Sequence, residues 1–230
     1  MKTFFKKIII GTSFETFARK LFSKFIITFI TSPDYWEKRY LRKGNSGAGS
    51  YGRLADFKAS IINEFVTSHE IKSVVEFGCG DGNQLTLANY PNYIGLDVSI
   101  TAINLCKNKF KDDSTKSFYV SGEGIGNINA ELSMSLDVIF HLVEDEVYNQ
   151  YMSDLFKASE RYVCIYSSNF NDQLTGGASH VRSRKFTDWV MKNASEFELI
   201  STIPNLYPYD VNDPDNTSIA DFFFFKKILA

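Results

Sequence analysis

Apolar and polar positions along the chain change period several times, and the changes mark out elements. Over Leu54 to Ser68, the apolar residues Leu54, Phe57, Ile61, Ile62 and Phe65 recur every three or four positions, which predicts a helix with one buried stripe. Past it the pattern turns to short apolar runs. Ser73 to Phe77 (SVVEF) is a β-branched run closed by glycines, the pattern of a buried strand. Tyr93 to Asp97 (YIGLD) is a second run, Lys116 to Val120 a weaker third, and Leu132 to Val138 a fourth. Between the second and third, Ser99 to Lys107 reads as a helix with Ser99 as its N-cap. The fourth run leads into a helix carrying Tyr148, Tyr151, Met152 and Leu155. Tyr162 to Tyr166 (YVCIY) is a fifth strand, and a helix starts at Phe186. The last two strands are Phe197 to Ile203 and Ser218 to Lys226, with Pro204, Pro208 and Pro214 in the loop between them.

Strands that alternate with helices predict a parallel sheet covered on both faces. The last two strands have no crossover helix between them, so they must pair antiparallel. The expected architecture is α/β: a doubly wound, Rossmann-like, seven-stranded sheet ending in an antiparallel hairpin, with additional N-terminal helices. Lys43 to Gly52 (KGNSGAGSYG) reads as a loop. It divides the chain into residues 1–52, N-terminal helices and a lid loop, and residues 53–230, the α/β domain. The run Phe222 to Phe225 reads as a core strand buried on both faces.

Composition narrows the function. The chain has 230 residues, 44% of them hydrophobic and 23% charged, with a net charge of −2. Nothing in that balance calls for a nucleic-acid partner. The three cysteines, Cys79, Cys106 and Cys164, are widely spaced, and the three histidines are separated. Neither a disulfide framework nor a metal site is expected, and a reducing cytoplasm suits the chain. Residues 1–30 carry Lys2, Lys6, Lys7, Arg19, Lys20 and Lys24 against Glu15 alone. Their apolar runs are too short for a signal-peptide core or a membrane span. Two readings stay open for them: a pair of helices packed on the domain, or a basic amphipathic segment resting on an anionic membrane surface.

The chemistry gathers at Glu76-Phe77-Gly78-Cys79-Gly80-Asp81-Gly82, between a strand and an expected helix. Glycines there let the chain turn sharply and let a ligand approach the backbone. Asp97 ends the next strand, where a carboxylate can accept from a ribose diol. A dinucleotide-binding dehydrogenase shares this logic but predicts G-x-G-x-x-G, whereas this chain has G-x-G-x-G.

VVEFGCGDG resembles the first motif of class I S-adenosylmethionine (SAM)-dependent methyltransferases, YIGLDVS their second, and LSMSLDVIFHL the segment after their fourth strand. The resemblance runs from about Tyr35 to Lys227. It implies SAM as cofactor and S-adenosylhomocysteine (SAH) as product. It also implies that Glu76, Gly78, Cys79 and Gly80 line the methionine part, Asp97 holds the ribose, Val98 packs on the adenine and Asp137 lies beside the methyl group. A lid over SAM is expected from Tyr35-Trp36-Glu37-Lys38-Arg39-Tyr40 and Ser50-Tyr51-Gly52, with Arg39 near the cofactor carboxylate and Tyr51 as its companion; simple helix packing is the other reading. The acid for the adenine amino group stays open among Asp112, Asp113 and Glu123. A non-catalytic SAM-binding module is a further alternative.

For the acceptor, two constellations stand out. His180, Arg182 and Arg184 could grip a phosphate or carboxylate, or form a solvated basic turn. Asp137 and His141, four residues apart at an expected helix start, would share a face, with His141 as general base or as a packed histidine; for a neutral hydroxyl acceptor the base would be His141 or His180. The segments YWEKRY, GSYG, EFGCGDGNQL, SLDVIFHLVED, IYSSN and HVRSRKFTDW resemble bacterial methyltransferases of capsule and surface-glycan loci, some linked to O-methyl phosphoramidate. This likeness implies a small-molecule or glycan acceptor methylated on oxygen.

Overall fold

The computed structural model describes residues 30–122, 128–171 and 180–228. The reading of residues 1–29, the membrane-surface alternative and Glu123 therefore lie outside the described residues. No helix among those described is long and apolar enough to cross a membrane.

Helix α1 spans Ser32–Leu41. It starts at Thr31, whose side chain accepts from the Asp34 N–H, and has Pro33 in its first turn and basic residues in its last, as the helix dipole favours. Helix α2, Gly52–Ser68, buries the predicted stripe, including Leu54, Ile62 and Phe65, and with it Lys58. Helices α3 (Ile100–Lys109), α4 (Asp145–Lys157) and α5 (Phe186–Asn193) follow. Ser99 caps α3 by accepting from the Ala102 N–H.

The strands are β1 (Val74–Phe77), β2 (Tyr93–Asp97), β3 (Lys116–Val120), β4 (Ala130–Leu136), β5 (Ser159–Ser167), β6 (Phe197–Ile203) and β7 (Asp221–Lys227). They form one sheet in the order β3-β2-β1-β4-β5-β7-β6. The first five run parallel, and β7 inserts antiparallel between β5 and β6. Period-two alternation divides β7 between two cores. Phe222 and Phe224 pack with Ile62 and Phe65 of α2, whereas Phe223 and Phe225 pack with Met152 and Leu155 of α4. The strand order reverses between β1 and β4, so a crevice opens there at the carboxyl ends of the strands, where open α/β sheets bind ligands.

Two local expectations change. The glycine turn opens only a short 3-10 turn, Gln84–Leu87, because the chain must return to β2 through Pro91, which supplies no N–H donor. β4 stops at Leu136. Asp137 takes a left-handed backbone (φ 59°), and Ile139–His141 is one 3-10 turn. Asp137 and His141 therefore do not share a helix face.

Candidate functional site

The crevice widens into a cavity of about 810 Å³. Its floor is the turn after β1. Gly78 and Gly80 both have positive φ, 86° and 57°. A Cβ on Gly78 would lie 2.4 Å from Val138 Cγ2, and one on Gly80 2.3 Å from Ser46 Oγ, so any other residue would have to displace those side chains as well as hold a backbone conformation that favours glycine. The N–H groups of Gly78 and Cys79 donate to the Leu96 carbonyl at 2.7 and 2.9 Å, which fixes the turn against β2. The Cys79 thiol is buried and pushed up, chiefly by its contact with Cys106.

Asp97 is buried and stitches this floor together. Its Oδ2 accepts from the Gly80 N–H and its Oδ1 from the Ser99 N–H, each at 2.9 Å. Burial raises its pKa to about 6 against the pull of these two hydrogen bonds. Each oxygen keeps a second lone pair for a ligand hydroxyl. Val98 follows, 42% exposed and lining the cavity, as a platform for a flat apolar group should be. Glu76 is buried at the end of β1 and accepts from the Tyr93 hydroxyl at 2.5 Å. Burial raises its pKa to about 7, while the Tyr93 hydrogen bond and the Lys58 charge pull it down.

Helix α1 lies along the other side, where Ser32, Pro33, Trp36 and Tyr40 line the cavity. It is held at both ends and in the middle. Ser32 donates from its N–H and its hydroxyl to Glu144. Glu37 accepts from the Ser99 and Thr101 hydroxyls, at 2.5 and 2.6 Å, at the start of α3. Tyr40 contacts Ser46, whose N–H donates to Asp81. Tyr51 also donates to Asp81, at 2.7 Å. Tyr51 thus fastens the loop from behind rather than lining the cavity. Arg39 does the same: its guanidinium donates to the carbonyl and side-chain oxygens of Asn45, at 2.6 and 3.2 Å, and stands off the cavity wall.

Asp137 lines the cavity and forms an ion pair with Lys58 at 2.5 Å. His141 lines it too, edge-on to Trp36 at 5.0 Å and stacked with His180 at 5.6 Å. His141 Nδ1 lies 3.1 Å from the His180 carbonyl. A carbonyl only accepts, so Nδ1 carries the proton and Nε2 keeps a lone pair when the ring is neutral. Burial lowers the His141 pKa to about 4, so the ring is neutral near pH 7. His180 is also lowered, first by burial and then by Arg39, and stacks on Tyr35 at 4.4 Å.

The expected anion grip takes another form. Arg184 donates to the carbonyls of Leu142 and Val143, pairs with Asp145 at 2.9 Å and lies over the Tyr148 ring. Arg182 donates to the Val143 carbonyl and pairs with Asp145. Both arginines cap the carbonyls left open where the 3-10 turn ends before α4, and neither lines the cavity. Arg184 is largely buried in these contacts, while Arg182 and Asp145 remain exposed to solvent. Asp113 is spent on Thr115 and Lys116 before β3, at the end of the sheet away from the crevice, and Asp112 does not line the cavity.

No family model matches the sequence, and no curated protein does. Solved structures do. The magnesium protoporphyrin IX methyltransferase of Synechocystis PCC 6803 with bound SAH aligns with a TM-score of 0.62 and 13% identity, over 85% of this chain and 97% of that one. The N-methyltransferase NodS of Bradyrhizobium japonicum in complex with SAH aligns at 0.60 and 13%, over 76% and 87%. The methyltransferase domain of a bacterial Hen1 aligns at 0.56 and 18%, over 74% and 96%. The chain therefore has the Rossmann-like fold of the SAM-dependent methyltransferases, including the antiparallel β7 of its seven-stranded sheet.

Proposed function

We propose that the chain is a SAM-dependent methyltransferase that methylates an oxygen of a capsule or surface-glycan precursor. One observation carries the cofactor reading. The positive-φ turn at Gly78 and Gly80 lines the cavity at the carboxyl end of β1, and the buried Asp97 carboxylate sits beside it with a lone pair left on each oxygen. Two of the solved structures with this fold hold SAH. When bound, SAM supplies a methyl group activated as a sulfonium. The chain's own part is to align the acceptor, exclude water and remove a proton where the acceptor is neutral. Trp36 and His141 form an aromatic wall on the α1 side, suited to the face of a sugar ring. His141 Nε2 is the base available to a neutral hydroxyl. An anionic phosphoramidate oxygen would need no base, but Arg182 and Arg184 are occupied elsewhere, which favours the neutral hydroxyl.

Calorimetry with SAM, SAH and NAD tests the cofactor. SAM and SAH should bind in the low to tens of micromolar range, about −6 to −8 kcal/mol. Binding of NAD and neither adenosyl ligand makes the chain a dinucleotide enzyme instead. Labelled SAM offered with nucleotide-linked sugars, capsule oligosaccharide and phosphoramidate compounds tests the acceptor. Label only in protein, nucleic acid or a carbon centre overturns the acceptor class.

A further inference from the structure

A buried cation stands at the cavity wall with most of its hydrogen-bonding capacity unused. Lys58 lies on the α2 stripe that packs on the sheet, one turn from Leu54 and one from Ile62, both apolar core residues. It is 1% exposed, yet it lines the cavity. An ammonium ion removed from water needs acceptors for its three protons. One proton goes to Asp137 Oδ2 at 2.5 Å. The Nζ atom also stands over the Tyr166 ring, 5.3 Å from its centroid. Among the described residues no second oxygen accepts from Lys58.

The surrounding charges indicate what that spare capacity suits. Glu76 is near enough for the Lys58 charge to act on it, and it has Tyr93 as its one hydrogen-bond partner among the described residues. A buried carboxyl and a buried cation, each short of partners, thus face the same space beside the glycine turn. A zwitterionic amino-acid group complements that arrangement. The other cations in the region do not serve. Arg39 is held on Asn45. Lys157 lines the cavity from the last turn of α4, beside Ala158, whose carbonyl accepts from the first residue of β4, at the opposite end of that strand from Asp137.

We infer that Lys58 receives the carboxylate of the cofactor's amino-acid end. Asp137 then holds the lysine in place from one side while the ligand completes its shell from the other. This inference rests on reading the cavity as a SAM site, and the test separates the two.

The full chain is titrated calorimetrically with SAH and with decarboxylated SAH, which keeps the ammonium and lacks only the carboxylate. A wild-type protein that binds neither removes the methyltransferase reading itself. If wild type binds SAH, Lys58→Met should weaken SAH by about 10- to 100-fold, the worth of a charge-assisted hydrogen bond. Decarboxylated SAH should bind wild type and variant within about two-fold of each other. Removing the lysine alone leaves Asp137 without its partner, so Lys58→Met/Asp137→Asn, which removes both charges, guards against misfolding. Equal losses for the two ligands in a folded variant would make Lys58 a support of the fold. Unchanged SAH affinity would leave its spare protons to another group. Either result overturns the assignment.

Discussion

Glu76→Gln should make the ligand-free protein more stable near neutral pH while weakening its hold on the cofactor. Glu76 is 4% exposed, and its carboxyl is raised from 4.5 to about 7, with burial as the leading cause. The sign follows from linkage. A carboxyl raised in the folded state is protonated there while the unfolded chain has already lost its proton. Stability is therefore complete below pH 4.5 and declines as pH climbs to about 7, where the folded form ionises too. At about 1.4 kcal/mol per pH unit, the loss is about 3 kcal/mol. Glutamine matches the protonated carboxyl in shape and does not titrate, and Tyr93 can still donate to its oxygen. The measurement is urea denaturation of both proteins without ligand between pH 4.5 and 8. The stability difference, variant minus wild type, should grow by about 3 kcal/mol over that range and then level off. Any fixed cost of the amide beside Lys58 cancels in that growth. A difference independent of pH, or one that falls, refutes the claim that Glu76 is held protonated by burial.

The same carboxyl makes cofactor affinity depend on pH: SAH binding to wild type should weaken as pH drops below about 7, and calorimetry in buffers of different ionisation enthalpy should show proton release on binding. His141 adds no break near pH 6.5, because burial lowers it to about 4; with cofactor saturating, the rate should stay level through that range, and an inflection at 6.5 that disappears in His141→Ala counts against the lowered value. Asp97→Ala should weaken SAH by about 1–3 kcal/mol by removing charge-assisted hydrogen bonds. It should also destabilise the ligand-free chain, since the Gly80 and Ser99 N–H groups lose their acceptor; an unchanged melting temperature would show that those two bonds add nothing. Arg184→Ala should lower folding stability by about 1–3 kcal/mol through the stranded carbonyls of Leu142 and Val143. Its KM for the acceptor should be unaffected, and a rise in KM without loss of stability would return Arg184 to the acceptor site.

Much of the fold is legible in the sequence because local signals and burial agree. The short apolar runs at Val74–Phe77 and Tyr93–Asp97, the Ser99 cap and the alternation in Phe222–Phe225 each carry their structural reason in their own residues. The glycine turn and buried carboxylate that line the crevice are legible for the same reason, since Gly78, Gly80 and Asp97 lie within one strand–turn–strand unit. What escapes the sequence depends on which partner a side chain meets and on how much chain is left between elements. Arg182 and Arg184 look like an anion grip until carbonyls some forty residues earlier come to meet them. Arg39 looks like a ligand for the cofactor until Asn45 claims it. The expected helix after the glycine turn yields to the length of chain left before β2. Lys58 did leave a signal, a lysine at a core position of an otherwise apolar stripe, and a buried cation without an obvious mate is a functional hint in itself.

The way α1 is tied down has a kinetic consequence. Its attachments, Ser32 to Glu144, Glu37 to Ser99 and Thr101, and Tyr40 through Ser46 to Asp81, fall at three separate places around the rim. If an adenosyl compound exchanges on the α1 side of the cavity, at least one of these ties has to release first. Spent cofactor then leaves no faster than that release, and a slow exit of this kind governs the throughput of many enzymes. The fraction of molecules with the rim open also divides the affinity seen by an incoming cofactor. The ties share residues with the site: Ser99, which holds Glu37, is itself held by Asp97, Ser46 packs against Gly80, and the Ser32 hydroxyl lies 2.7 Å from the His141 carbonyl, so substitutions at Ser32 or Glu37 that retune residence time also reach the cavity wall. Throughput and the shape of the site are thereby written in shared residues and drift together.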